Sequence, residues 1–159
     1  MAERSAVVSV TVAAPQEHVW DLICDTARYA EWVDATDEVV RTDGPAALGS
    51  TYEERNTVLG PIKSGSRWTV AEHDPPRRSV HRGEGIAIAK DVSLEMTLQS
   101  LGGESTEVTF TFRYEPAFGP FGRLLSAAVL HRQVEAGFRR SAGALAEIAT
   151  REHGAAART

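Results

Sequence analysis

The chain has 159 residues, the usual size of one domain. Hydrophobic residues make up 42% and charged residues 25% of it, the balance of a globular protein, and no run approaches the ~18 apolar residues that span a bilayer. The net charge of -5 without a basic tail argues against a nucleic-acid partner, and the first four residues lack the apolar core of a secretory signal, so we expect a cytoplasmic protein without stable membrane insertion.

The N-terminal region predicts a strand followed by two helices. Val8, Val10 and Val12 alternate with polar residues, which is typical of a half-buried strand over residues 6–12. Pro15 then opens a helix, where its missing N–H costs nothing. A second short helix or turn is predicted over residues 26–33.

Residues 37–115 predict strands and turns throughout. Turn signals rich in glycine and proline recur, for example at Gly60-Pro61 and Gly102-Gly103. The spacing predicts an antiparallel meander of six strands. The last two strands alternate most regularly, with these apolar residues on one parity: Val92, Leu94, Met96, Leu98, Val108, Phe110, Phe112 and Tyr114.

The C-terminal region predicts one long helix over about residues 121–151. At 100° per residue, one stripe of this helix carries Ala127, His131, Val134, Phe138, Ala142, Leu145 and Ala149. We expect Phe138 and Leu145 to be buried against the sheet. Leu125 and Val129 point away from the stripe, which suggests a homodimer. Residues 1–153 are predicted to form a single domain, and residues 154–159 a disordered tail.

Two segments carry a family resemblance that covers about residues 5–150. The first is Val10–Trp20, followed by Asp25, Tyr29 and Trp32, and the second is the segment Trp68–Arg78 with its Pro-Pro-Arg turn. With these residues the chain resembles the START-like helix-grip superfamily (SRPBCC), in particular its polyketide cyclase/dehydrase-like branch.

The resemblance implies an α+β helix-grip fold. In that fold a curved antiparallel sheet of about seven strands wraps around a long C-terminal helix, with two short helices after the first strand. It also implies a cavity for an apolar, polyketide-like or lipid-like small molecule between sheet and helix. A carrier or binding protein is one function that fits; a polyketide cyclase or dehydratase type of enzyme is the alternative, and the sequence does not choose between them.

His131 is the first candidate for a polar contact in such a cavity. It lies on the apolar stripe near the start of the long helix, where the family's cavity opens, and an imidazole there could act as an acid or base. The alternative is a structural histidine that is hydrogen-bonded to a neighbouring strand or to Glu135, four residues on.

Two strands supply further polar candidates whose orientation the sequence leaves open. In the strand after Gly49, either Tyr52, Glu54 and Asn56 face inward or their neighbours of opposite parity, residues 51, 53 and 55, do so. In the strand over residues 78–86, inward Val80 would bury the pair Arg82 and Glu84. The family's register instead places Ser79 and His81 inside.

Aromatic and apolar residues complete the predicted lining. Trp68 is most simply a core residue but is included with the other candidates for ligand contact, which are Met96, Phe110, Phe112, Tyr114 and Phe138. No cofactor and no metal site are predicted, because the five histidines are scattered and no phosphate-binding glycine loop is present.

Overall fold

The computed structural model describes residues 3–117 and 127–158. Seven strands and three helices are present in these ranges, together with a single turn of 3-10 helix over Thr26–Arg28. The strands are β1 (Arg4–Val12), β2 (Thr36–Thr42), β3 (Thr51–Leu59), β4 (Ile62–Asp74), β5 (Arg78–Glu84), β6 (Ala89–Gly102) and β7 (Ser105–Pro116). The helices are α1 (Gln16–Cys24), α2 (Tyr29–Trp32) and α3 (Ala127–Ala156).

The strands form one antiparallel sheet in the order β1-β7-β6-β5-β4-β3-β2. The predicted six-stranded meander from β2 to β7 is therefore confirmed, and β1 closes it by pairing with β7. The predicted parity of the last two strands is also confirmed, since Val92, Met96, Val108 and Phe110 are all buried. On β6 and β7 this face of the sheet is consequently apolar.

The short helices cover one end of that apolar face. Pro15 caps α1 in an extended conformation, and Glu17 in the first turn suits the positive end of the helix dipole. The apolar side of α1 is buried through Val19 and Ile23, which are fully inaccessible. Helix α2 adds Trp32, which packs against Phe110 of β7 with 6.0 Å between ring centroids.

Helix α3 packs along the same face of the sheet. Leu145 and Ala149 are fully buried, as the helical stripe predicts, whereas Phe138 is only half-buried. Val129 is 43% exposed, which confirms that it points away from the core, and Leu125 lies outside the described residues. The helix continues to Ala156, so residues 154–156 are helical and not part of a disordered tail. At its end the backbone N–H of Ala157 donates to the carbonyl oxygen of His153 (3.0 Å).

These elements form the helix-grip fold that the sequence predicts, with the open sheet on one side and α3 on the other. Among the helices in the described ranges, none is long and apolar enough to cross a membrane.

Candidate ligand-binding cavity

A cavity of about 300 Å³ lies between the sheet and the N-terminal half of α3. Its walls come from α2 and the loop after it, from β3 and β4, from the β5–β6 connection, from β6 and β7, and from α3. Most of its walls are apolar. The apolar side chains include Trp32, Val33, Ala35, Val58, Ile86, Ile88, Ala89, Leu94, Phe112, Leu130, Val134 and Phe138.

The polar wall of the cavity is formed mainly by β3. Tyr52, Glu54 and Asn56 are 2%, 5% and 6% exposed and line the cavity together with Val58. Of the two orientations that the sequence left open for this strand, the structure has the one in which Tyr52, Glu54 and Asn56 face inward. Strand β4 pairs with β3 and adds Ser66 to the same wall.

A chain of hydrogen bonds in this wall ends on the carboxyl group of Glu54. The indole Nε1 of Trp68 donates to Oγ of Ser66 (2.9 Å), and Ser66 donates to Oδ1 of Asn56 (2.6 Å). Nδ2 of Asn56 in turn donates to Oε2 of Glu54 (3.0 Å). Because an indole nitrogen can only donate, the direction of the whole chain is determined, and the amide of Asn56 presents its NH2 group to the carboxyl.

Burial raises the pKa of the Glu54 carboxyl, since a charge in the cavity wall loses its hydration. Polar groups close to the carboxyl lower this pKa but do not cancel the effect of burial; they belong to Asn56, Thr36, Ser66 and Trp68. In the part of the chain that the structure describes, no ion pair involves Glu54. Protonation is therefore the available way to neutralise this group.

A second chain of hydrogen bonds starts at Tyr52 and runs into the sheet. The Tyr52 hydroxyl is 2.7 Å from Nδ1 of His81, and Nε2 of His81 is 3.0 Å from Oγ of Ser79. The Ser79 hydroxyl donates to the backbone oxygen of Glu72, so it accepts from His81 Nε2–H. Nδ1 of His81 is then the acceptor for the Tyr52 O–H, and this tautomer is assigned from the network.

His81 is a buried neutral imidazole at pH 7. Burial lowers its pKa to about 4, with a smaller contribution from the nearby charge of His73. Ser79 and His81 face the interior and Arg82 and Glu84 face solvent, which confirms the register that the family resemblance favours for this strand. His81 lies behind Tyr52 and does not line the cavity itself.

The prediction that His131 lines the cavity is wrong. Its ring stacks on Tyr114, Nδ1 is 3.0 Å from the Tyr114 hydroxyl, and Nε2 is 3.1 Å from Oε1 of Glu135. The side chain is 24% exposed, and neither His131 nor Glu135 is among the lining residues. Leu130 takes the inward position instead, because the inward stripe of α3 is offset by about one residue from the predicted one at this end.

Two apolar candidates also lie outside the lining. Met96 and Phe110 are 1% exposed and have the predicted inward parity, but they belong to the core beyond the end of the cavity. The other seven candidates line the cavity, namely Tyr52, Glu54, Asn56, Trp68, Phe112, Tyr114 and Phe138. Their contact with a ligand stays a prediction.

Several lining residues were missed by the sequence analysis. Ile86 and Ile88 alternate directly after Gly85, a pattern that could have indicated them, and Ser66 shares its parity with Trp68. At the margin of the cavity, Nε and Nη2 of Arg140 donate to the two carboxylate oxygens of Asp34, at 3.0 and 2.9 Å. This ion pair joins the loop after α2 to α3, and nothing in the sequence pattern predicts it.

The described ranges, 3–117 and 127–158, contain no cluster of three or more His, Cys, Asp or Glu side chains that could hold a metal ion. The polar chemistry available to the cavity from its described walls is that of carboxyl groups, phenols, amides, hydroxyl groups, an indole N–H and the guanidinium of Arg140.

Residues 3–150 match the protein family described as polyketide cyclase / dehydrase and lipid transport. The chain belongs to this family, as the sequence resemblance predicts. A comparison with curated protein sequences found no match.

Solved structures share the same architecture. The Zhui aromatase/cyclase from Streptomyces sp. R1128 is 24% identical, with 96% of this chain and 94% of that chain covered and a TM-score of 0.72. A START superfamily protein from Mycobacterium smegmatis is 13% identical, with 92% and 97% covered and a TM-score of 0.76. The di-domain protein BexL from the BE-7585A biosynthetic pathway is 15% identical, with 95% of this chain and 50% of BexL covered and a TM-score of 0.72. At these identities the likeness shows a shared fold.

Proposed function

We propose that this protein binds an apolar small molecule, polyketide-like or lipid-like, in the cavity between the sheet and α3, as a carrier or binding protein. The observation that carries this proposal is the cavity itself, about 300 Å³ in volume and lined mostly by apolar side chains. Cavities of this size and composition are typical of sites for small organic ligands. The family description, which includes lipid transport, supports the same function.

Filling the cavity tests this proposal. Val134 lines the cavity on α3, and Val134→Trp should occupy the space and abolish binding of a hydrophobic fluorescent probe. Val129→Trp is the matched control, because Val129 lies on the same helix but is 43% exposed. If both variants melt cooperatively and still bind the probe as the parent protein does, the cavity is not the binding site. Native mass spectrometry of the parent and of Val134→Trp would show whether a copurified compound depends on the cavity.

An enzymatic function of the polyketide cyclase or dehydratase type is the second candidate, and Tyr52 and Glu54 are the observation that favours it. These two groups lie side by side on β3 in the cavity wall and could assist proton transfers during aldol closure and loss of water. His131, for which the sequence suggested an acid or base role, and His81, which the sequence placed inside, do not line the cavity. The test is incubation of a linear tri-β-ketone with a catalytic amount of protein. An enzyme yields a product lighter by one water and loses this activity in Glu54→Gln, whereas a carrier returns the compound unchanged.

Two further expectations stay predictions. The homodimer suggested by Leu125 and Val129 rests here on the exposure of Val129 alone, and sedimentation showing a monomer at high micromolar concentration would rule it out. We also expect the protein to act in the cytoplasm, which fractionation of the cells that produce it would test.

A further inference from the structure

The buried carboxyl of Glu54 is the most unusual group in the cavity wall. Glu54 is only 5% exposed. Among the residues that the structure describes, no Lys, Arg or His forms an ion pair with its carboxyl group. The one guanidinium in the described lining, that of Arg140, is bound to Asp34. An ionised carboxylate without a cation in such a place is unfavourable, because the charge loses its hydration and gains no ion pair. The neutral acid avoids that cost.

The hydrogen-bond chain determines which carboxyl oxygen is available. Trp68 donates to Ser66, Ser66 donates to Asn56, and Asn56 donates to Oε2 of Glu54. Oε2 is therefore held as an acceptor. The acidic proton belongs on Oε1, which makes the carboxyl a hydrogen-bond donor within the polar wall.

We propose that Glu54 recognises the ligand by donating this O–H to a carbonyl oxygen, so that the cavity selects neutral ketones and related carbonyl compounds with an apolar ring body. This inference rests on the proposed function of ligand binding. The rise of the Glu54 pKa through burial agrees with it, as does the general use of neutral buried carboxylic acids as donors. A cationic amine fits less well, because its binding would require Glu54 to ionise first.

Three naphthalene compounds of similar size test the selectivity of the parent protein: naphthyl methyl ketone, isopropylnaphthalene and naphthylmethylammonium. Each is titrated in competition with a hydrophobic fluorescent probe at neutral pH. The ketone should bind about three- to tenfold more tightly than the hydrocarbon, the gain expected from one net hydrogen bond, and the ammonium most weakly.

Two variants show whether Glu54 causes this preference. Glu54→Gln keeps the shape and an NH2 donor, so the preference for the ketone should persist. Glu54→Met keeps the length but has no donor, so the ketone and the hydrocarbon should bind equally. Thermal melts of both variants verify that they fold, and the comparison of ligands on the parent protein needs no variant at all.

The outcomes separate this inference from the proposed function. Equal binding of ketone and hydrocarbon by the parent protein overturns the role of Glu54 but leaves the apolar cavity as a binding site. Tightest binding of the ammonium also overturns it and indicates an ionised Glu54. A ketone preference that persists in Glu54→Met assigns recognition to another group. If none of the three compounds displaces the probe, the proposed function fails together with the inference.

Discussion

Trp68 lies so close to Gly83, its partner on the neighbouring strand, that a Cβ atom at position 83 would come within 2.9 Å of two of its ring carbons. The ring also stacks on Tyr52, with 6.3 Å between centroids and 6° between the planes. Its indole N–H begins the hydrogen-bond chain to Glu54. Because Gly83 has no side chain, the Trp68 ring can lie against its backbone and form part of the cavity wall.

We expect Gly83→Ala to destabilise the protein by about 1–3 kcal/mol, the usual cost of overpacking a buried site. The added methyl would displace the Trp68 ring and lengthen its bond to Ser66. Urea unfolding measures the loss. Gly143→Ala is the control, because Gly143 lies on the exposed face of α3. An added methyl there would meet no atom of the described residues within 4 Å outside its own helix backbone, so this variant should be neutral or slightly stabilising. Equal stability of the two variants would show that the ring moves without cost.

Tyr52→Phe should cost about 1–3 kcal/mol, because it leaves Nδ1 of the fully buried His81 without a donor. Tyr114→Phe removes a bond to His131, which is partly exposed and also contacts Glu135, so its cost should be smaller. Chemical denaturation of the two variants side by side measures the difference. A larger loss for Tyr114→Phe would contradict the assigned network.

Stability should decrease in mild acid because of His81. Its pKa is near 6.5 in the unfolded chain and about 4 in the folded protein, so between these values the unfolded state binds more protons. The free energy of unfolding should therefore fall as the pH drops through this window, by about 3 kcal/mol in total for this group. Glu54 acts in the opposite sense, since its raised pKa means that its contribution to stability falls as the pH rises.

The variant His81→Gln separates the two groups in this pH dependence. It should be less stable than the parent protein at neutral pH, but the difference between the two proteins should shrink as the pH falls towards 4. Glu54 is present in both proteins, so its effect cancels in the comparison. A difference that stays constant across the window would show that His81 titrates normally in the folded state.

Leu145→Ala should cost about 2–5 kcal/mol, as expected for a fully buried leucine in a closely packed core. Phe138→Ala should cost less, because Phe138 is half-buried and its ring borders a space that is already empty. The same substitution should enlarge the cavity and admit a bulkier probe. Thermal unfolding together with a series of probes of increasing size checks both parts. A Phe138 variant less stable than the Leu145 variant would contradict them.

The alternation of β6 and β7 was sufficient to predict which face of the sheet is buried, because polar residues occupy only the other parity over residues 92–98 and 108–113. The sequence of β3 could not be resolved in the same way, since polar residues occupy both of its parities. Its orientation depends on the contact of Tyr52 with His81 and of Asn56 with Ser66, both on other strands. A pattern within one strand contains no information on such contacts.

The sequence also could not show which of the inward-facing residues along a strand reach the cavity. Met96 and Phe112 share an inward parity, yet only Phe112 reaches the cavity, because parity gives the face of a residue and not the point at which the helices close over it. The position of His131 was missed for a related reason. A one-residue offset of the stripe corresponds to 100° of rotation, enough to exchange Leu130 for His131 at the cavity wall.

The walls of the cavity come from stretches of chain that are far apart in the sequence, from Tyr29 on α2 to Ser141 on α3. A compound that binds there contacts α2, the sheet and α3 together. The unfolded chain has no such site for it. Binding must therefore shift the whole unfolding equilibrium: a ligand at about 100 times its Kd adds about 2.7 kcal/mol to the free energy of unfolding. A thermal-shift screen of a chemical library can consequently find ligands of this protein without an assay for any reaction.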